Sequence, residues 1–361
     1  MSELTLSALE DWVRRAFGQN ARLLDAGAIG TLDKQGMKRF GYGKPLLVRW
    51  ERDGRQQEGV LSVMKGDKYG HQYPWDRAAV LWFQYETSGR LEGHAKPLAL
   101  GWMDGAGALH PLEDPREFFI LNEKLPGHDY FLDLERIRAG SLEPGDLAMA
   151  RSFADWLARV HARKKDDADL YYRRIRNLLG ASECIFGLVD EAYPHPYAPF
   201  PDERFLALEE RLVRWRWKLK AHAERLCAVH GDFHPWNVLT DGQGGFRVLD
   251  RSRGEWGEAA GDVSTMAANY LLFGLLGGDG LDSRFERLYL AYFERYLERT
   301  GDADLLRVIA PFFVFRMLVI ASPEWYPDHP PRVRAGLLRF MENVLYDDVY
   351  DWRAPVRYME L

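Results

Sequence analysis

Asp232, Asn237 and Asp250 are the residues of this chain whose types and spacing could do chemistry together. The first two lie five residues apart in His230-Gly231-Asp232-Phe233-His234-Pro235-Trp236-Asn237, entered from the apolar run Leu226 to Val229 and left through Val238-Leu239. Thirteen residues past Asn237, a second short apolar run, Val248-Leu249, ends in Asp250. A carboxylate can accept the proton of an attacking hydroxyl. An Asn and a further Asp offer hard oxygen atoms of the kind a Mg²⁺ ion takes. A base that must reach a nucleophile, and ligands that must reach a metal on the phosphate side of the same short loop, would be spaced in this way. The chemistry that uses such a set is phosphoryl transfer to a hydroxyl.

The ordered set His230-Gly231-Asp232-x-x-x-x-Asn237 resembles the signature of the aminoglycoside phosphotransferase and choline kinase-like family, part of the protein kinase-like superfamily. That family writes His-Gly-Asp where protein kinases write His-Arg-Asp. It also tends to follow its metal-binding Asp with Gly-Asp-Pro-x-x-Asp-Leu. Here the corresponding stretch is Gly257-Glu258-Ala259-Ala260-Gly261-Asp262-Val263, in which Gly257 and Asp262 match while Glu258 and Ala259 replace the first Asp and the Pro. The resemblance runs from Ala21 to Phe340 and is strongest between Leu226 and Ser264. It implies Asp232 as the base, Asn237 and Asp250 as ligands of Mg²⁺, and ATP or GTP as co-substrate. The implied fold is α+β: a bilobal protein kinase-like chain with a small antiparallel-sheet amino-terminal lobe and a larger, mainly helical carboxy-terminal lobe. Residues 1–122 would be the lobe covering the nucleotide, 123–127 the hinge, and 128–361 the helical lobe with the catalytic loop and acceptor site.

The elements that must position these groups can be read from periodicity. Leu6, Leu9, Trp12, Val13 and Ala16 fall at helical spacing, so a short amphipathic helix is expected over Ser7 to Phe17. Arg22 to Ile29 and Leu46 to Trp50 read as strands, Asp53-Gly54 as a hairpin turn, and Val60 to Lys65 as the partner strand. The family resemblance makes Lys65 the lysine that contacts the α and β phosphates, against the plainer reading of a solvated lysine at a strand end. Gly41 and Gly43, in Phe40-Gly41-Tyr42-Gly43-Lys44, are the candidate flap whose backbone N–H groups approach the nucleotide. Lys44-Pro45 stands where the family often has Ser-Asn. A helix is expected from Trp75. Asp76 at its first turn is the candidate acid to pair with Lys65, although the family commonly places Glu there and an Asp at that point also suits a helix cap. By the same resemblance, Glu117 to Leu121 is expected as the last strand of the lobe, with Glu123 to Leu125 as the hinge offering backbone groups to the base of the nucleotide.

Helical pattern then dominates. Leu147 to His161 carries one apolar face, with His161 expected as a packing residue. Tyr193-Pro194-His195-Pro196-Tyr197-Ala198-Pro199 cannot be regular helix and is expected as a surface connection. Further helices are expected over Glu203 to Arg225, Phe285 to Leu297, Leu305 to Ile320 with a bend at Pro311, and Arg334 to Val344. The closing Tyr346-Asp347-Asp348-Val349-Tyr350-Asp351-Trp352 mixes acids with aromatics, and could receive a cation or simply be a solvated helix end.

Composition narrows the alternatives. A length of 361 residues suggests two lobes, and a net charge of −6 leaves no basic excess for nucleic acid. The apolar run Pro311 to Ala321 is interrupted by Arg316 and is too short to span a bilayer. Two cysteines make no framework, and a reduced, cytoplasmic setting is the simplest expectation. The partners that the family resemblance implies are a nucleotide and a small hydroxylated acceptor whose identity the sequence does not set. Two rival readings stand beside a small-molecule kinase. One is a catalytically weak, pseudokinase-like nucleotide-binding module. The other is a metal-dependent hydrolase using His230, Asp232 and His234.

Overall fold

A computed structural model describes residues 5–28, 45–113 and 115–360. The chain divides into two compact units, Met1–Asn122 and Glu123–Leu361.

The smaller unit opens with helix α1 (Leu6–Phe17), capped by the Thr5 hydroxyl, which accepts from the Ala8 N–H. Strands β1 (Arg22–Ala28), β2 (Leu46–Arg52) and β3 (Arg55–Leu61) form an antiparallel sheet in that order. Leu9 and Val13 of α1 pack with Val48, Trp50 and Leu109 into its core, and Phe17 stacks on Trp50 with ring centres 4.5 Å apart. The turn between β2 and β3 has Asp53 and Gly54 both at positive φ, 50° and 72°, the geometry a two-residue hairpin needs. Helix α2 (Pro74–Thr87) and the hairpin β4 (Leu100–Met103)–β5 (Leu109–Leu112) complete the unit.

Two expectations for this unit need correction. Strand β3 stops at Leu61, four residues short of Lys65, because its ladder ends where Leu46 pairs with Leu61 and the residue before Leu46 is Pro45, which has no N–H to give. Glu117 to Leu121 is not a strand either. β-propensity yields a strand only where a neighbour supplies a ladder, and none of the described strands pairs with it. Phe118 turns onto Trp82, with ring centres 4.2 Å apart, while Phe119 and Leu121 are 96% and 93% exposed.

The larger unit begins with the short strand β6 (His128–Asp129) and helices α3 (Tyr130–Ala139), α4 (Pro144–His161), α5 (Ala168–Gly180), α6 (Ile185–Ala192) and α7 (Asp202–Leu219). The chain then makes β7 (Cys227–Ala228), the hairpin β8 (Val238–Thr240)–β9 (Phe246–Val248), and β10 (Trp256–Gly257). It ends in helices α8 (Ala259–Leu276), α9 (Ser283–Thr300), α10 (Leu305–Val308), α11 (Ala310–Ala321) and α12 (Pro331–Asn343). Helix α8 is apolar nearly all round and is buried from Ala259 to Leu275 apart from Gly261, while α11 is buried along its whole length. Pro311 lies in the first turn of α11, where its missing N–H costs nothing, so the expected bend is a break between two helices.

The proline-rich stretch runs along the surface as expected, with Pro194, His195, Pro196, Ala198 and Pro199 exposed, but its aromatics pin it to the interior. Tyr193, Tyr197 and Phe200 are buried, and the Tyr193 hydroxyl donates to the Leu318 carbonyl of α11 at 2.6 Å. Proline excludes helix but not burial when large aromatics flank it. Two of the three closing aromatics are spent internally too, while Tyr346 is exposed. Tyr350 and Trp352 are buried, Asp347 accepts from Arg357 and Tyr358, and Asp348 pairs with Lys218. Cys184 and Cys227 are free thiols, and no described helix is long and apolar enough to cross a membrane.

Candidate active site

The loop His230–Asn237 is held by its main chain. Strands β7 and β10 pair antiparallel, setting Cys227 against Gly257 and Ala228 against Trp256. The Val229 N–H donates to the Glu255 carbonyl at 3.0 Å, and the Arg251 guanidinium donates twice to the Val229 carbonyl, at 3.1 and 2.8 Å. The segment after Asp250 is thereby stitched to the strand that enters the loop. Gly231 sits at φ 97°, where a side chain is strained, and a Cβ there would lie 3.3 Å from Arg253 Cβ. Both facts explain glycine between His230 and Asp232.

The anchor of the turn is Asp262, in the first turn of α8. Its carboxylate accepts from the His230 N–H at 2.7 Å and the Gly231 N–H at 2.8 Å. It also takes a third bond, from His161 Nε2 at 3.1 Å, and His161 Nδ1 lies 2.8 Å from the Tyr296 hydroxyl. Burial alone would raise the Asp262 pKa, but His161 and the Gly231 N–H outweigh it and hold the carboxyl below its usual value. His161, Asp262 and Tyr296 are each at most 3% exposed.

The Asp232 side chain is 12% exposed and stands among cations. Its Oδ2 lies 3.3 Å from Arg253 Nε and 3.7 Å from His234 Nε2, and its Oδ1 lies 3.8 Å from Arg316 Nη1. The Asp232 N–H donates to His230 Nδ1 at 3.2 Å, while the Trp236 N–H donates to His234 Nδ1 at the same distance. Burial, and then the positive charge of Arg316, pull the His234 pKa down to about 3, against the pull of Asp232. The His234 ring is therefore neutral at neutral pH and presents an N–H toward the carboxylate.

Asn237 and Asp250 stand at one end of the β8–β9 hairpin. Val238 pairs with Val248, and the Leu249 N–H donates to the Asn237 carbonyl at 2.9 Å. The Asn237 side-chain amide donates to the Asp232 carbonyl at 3.1 Å, which turns its own oxygen elsewhere. Asp250 has φ 51°, outside the range a pleated strand allows, and its side chain is exposed with no ion pair to a described residue. A free carboxylate held in strained backbone beside an amide oxygen released by its own hydrogen bond is a donor set a hard divalent cation fits. Among the described residues, no three of His, Cys, Asp and Glu gather where they could hold a metal. His230, Asp232 and His234 do not form such a group, so the hydrolase reading gains no support from their placement.

In the smaller unit, Lys65 is exposed in the coil beyond β3 and makes no ion pair with a described residue. Asp76 instead closes a capping box on α2, where its Oδ2 accepts from the Tyr73 N–H at 2.9 Å. The structure does not bring Lys65 and Asp76 together. Gly41 and Gly43 lie outside the described residues. Glu123 is exposed and Leu125 half-buried, in irregular chain ahead of β6.

The family model described as the phosphotransferase enzyme family (APH) matches residues 88–302, which include the whole loop, the hairpin and Asp262. The chain belongs to this family. The fold is α+β, with antiparallel sheets in the smaller unit and helices dominating the larger one. No curated protein sequence matches the chain. Among solved structures, it is similar to a glucosamine kinase in complex with glucosamine, ADP and inorganic phosphate. The identity is 22% over 62% of this chain and 59% of that one, with a TM-score of 0.37. A Plasmodium vivax ethanolamine kinase is 12% identical over 93% of this chain and 80% of that one, at a TM-score of 0.31. An amicoumacin kinase in complex with AMP-PNP and Ca²⁺ is 13% identical over 92% and 91%, at 0.37. The chain thus spans 59% of the glucosamine kinase named first, and likenesses this distant do not identify an acceptor.

Sequence reasoning passed over two side chains that the structure sets against Asp232. Arg316 left one signal, a single charge inside the apolar run Pro311 to Ala321. Arg253 left none, because its approach to Asp232 depends on the path of the chain after Asp250. The role of Asp262 was half visible, as a motif match without a task.

Proposed function

We propose that the protein transfers the γ-phosphoryl group of ATP or GTP to a hydroxyl of a small molecule. Asp232 receives or orients the hydroxyl proton. Asn237 and Asp250 would hold Mg²⁺, which when bound neutralises phosphate charge. Lys65 serves the α and β phosphates, Gly41 and Gly43 the flap, and Glu123 and Leu125 the base of the nucleotide. Asp76 caps α2 rather than pairing with Lys65. The reading rests above all on the way the Asp232 loop is built. Asp262 takes the two N–H groups ahead of it, and Asn237 takes its carbonyl from behind. A base fixed by its own main chain is preorganised for a reaction that depends on positioning.

A nucleotide-binding module without turnover has one observation in its favour, the Lys65 side chain without an acidic partner among the described residues. Calorimetric titration with ATP and GTP, with and without Mg²⁺, on the wild type, Asp250→Ala and Asp232→Asn separates the readings. Metal-dependent binding lost in Asp250→Ala and kept in Asp232→Asn, with turnover reduced about 10²- to 10⁴-fold in the latter, supports the kinase. Binding without turnover in any protein supports the module. No nucleotide binding under any condition sinks both.

A further inference from the structure

We infer that the acceptor carries an anionic group, a carboxylate or phosphate, close to the hydroxyl that is phosphorylated. This rests on the phosphotransferase reading and narrows the substrate class of the same site.

The observation is a contrast between two buried arginines. Arg225 is fully satisfied: it donates from Nε and Nη2 to Glu258 at 2.8–3.1 Å and from Nη1 and Nη2 to Asp302 at 2.7 and 2.8 Å. Arg316 is 4% exposed in the middle of α11, yet makes no hydrogen bond to a described residue. Its Nε is buried without a partner, and its nearest charged neighbour is Asp232 at 3.8 Å. An unbonded buried guanidinium is costly to keep. Its planar fork matches the paired oxygens of a carboxylate or phosphate.

The surroundings agree in sign. Arg253 approaches the other oxygen of Asp232 and also lines a cleft of about 380 Å³ with Ser182, Glu183, Glu191 and Trp325. Two guanidiniums therefore flank one carboxylate. The remaining neighbours add no negative charge, since His234 is neutral and burial keeps the Tyr326 phenol protonated. Glu183, 3.8 Å from Arg253, is 81% exposed and its charge is screened by water, as is that of the exposed Glu191. Each oxygen of Asp232 faces a guanidinium, so a cationic amine beside a hydroxyl at this carboxylate would be repelled. An acid group there would supply the oxygens that Arg316 lacks. The nucleotide's own γ-phosphate is the other source of such oxygens. The cleft shared by Arg253 favours the acceptor.

The test uses the full-length protein and four three-carbon polyols that differ in charge: glycerol, glycerate, glycerol 3-phosphate and 3-amino-1,2-propanediol. Binding is read by calorimetry with and without ATP and Mg²⁺, and phosphoryl transfer by product formation. Inorganic phosphate serves as a generic anion in the absence of nucleotide. The anionic probes should bind more tightly than glycerol, and the amine more weakly. Arg316→Met should weaken the anions about 10- to 100-fold, the range expected for a lost charge-assisted hydrogen bond, while the Kd for ATP stays unchanged. Arg253→Gln, at a more exposed side chain, should act in the same direction and serves if Arg316→Met does not fold. Preference for the amine or for neutral glycerol overturns the inference, as does anion binding that survives both variants. An effect of Arg316→Met on ATP instead of the anions also overturns it, by assigning the fork to the nucleotide. If ATP never binds but the arginine-dependent anion site persists, the kinase reading fails and the anion site stands. If ATP is bound and transferred with no preference for anions, the reverse holds.

Discussion

His161, at the end of α4, donates to Asp262, at the start of α8, across 3.1 Å of protein interior. Two helices of the core are thereby tied through the carboxylate that also holds the His230 and Gly231 main chain, His230 on the same oxygen and Gly231 on the other. Replacing Asp262 by Ala would leave two buried N–H groups and a ring nitrogen unpaired. The expected loss is about 3–5 kcal/mol, as for other broken buried pairs, with turnover lost as well because Asp232 follows in the same turn. Asp262→Asn, which keeps an acceptor, should be milder. Denaturation midpoints for both variants check the ranking.

Gly231→Ala places a side chain at φ 97° and against Arg253 Cβ. The strain should cost about 1–2 kcal/mol and push the loop off its position. The expected signature is a fall in kcat with the Kd for nucleotide preserved, because Asn237 and Asp250 are anchored to the hairpin. A fall in nucleotide affinity equal to the fall in kcat would count against this division of labour.

Acid should weaken the fold through His234. Its pKa is about 3 in the folded protein and near 6.5 when unfolded. Between these values the unfolded chain binds a proton that the folded chain refuses. Stability is therefore complete above pH 6.5 and falls as the pH drops toward 3, by at most about 1.4 kcal/mol per pH unit from this group. His234→Asn keeps an acceptor for the Trp236 N–H and removes the titration. Urea midpoints between pH 7 and 4 should decline less steeply in the variant than in the wild type. A histidine titration due to His234 should also be missing from the pH–rate profile between pH 5 and 8.

Lys65 and Asp76 should act independently. Asp76→Ala removes a capping box and should cost the smaller unit about 0.5–2 kcal/mol. Lys65→Met should weaken nucleotide binding. In a double-mutant cycle on the Kd for ATP, the two changes should add to within about 0.5 kcal/mol. A larger coupling would restore the ion pair that the capping geometry argues against.

The sequence carried the site further than it carried the smaller unit. Asp232, Asn237 and Asp250 were legible because a single loop and a single hairpin hold them, so their separation in sequence governs their separation in space. The stripe from Phe285 to Leu297 was legible for a similar reason, since helical spacing alone predicts α9. The strand expected over Glu117 to Leu121 failed because a strand depends on a partner that its own residues do not encode. Burial of Tyr193 and Tyr197 was hidden by the prolines among them. Arg316 was visible only as an interruption, because what matters about it is the carboxylate it faces, more than eighty residues away in the chain.

The bond from the Tyr193 hydroxyl to the Leu318 carbonyl lies two residues beyond Arg316 on α11. One residue of helix corresponds to about 100° of rotation, so a helix that slipped by one position would swing the guanidinium out of line with Asp232. The Ser322 hydroxyl donates to the Ala192 carbonyl at 3.0 Å, pinning the end of the same helix. Tyr193 and Ser322 thus index α11 as a notch indexes a dial. The proline-rich stretch, distant from Asp232 in sequence, sets the angle at which one charge meets that carboxylate.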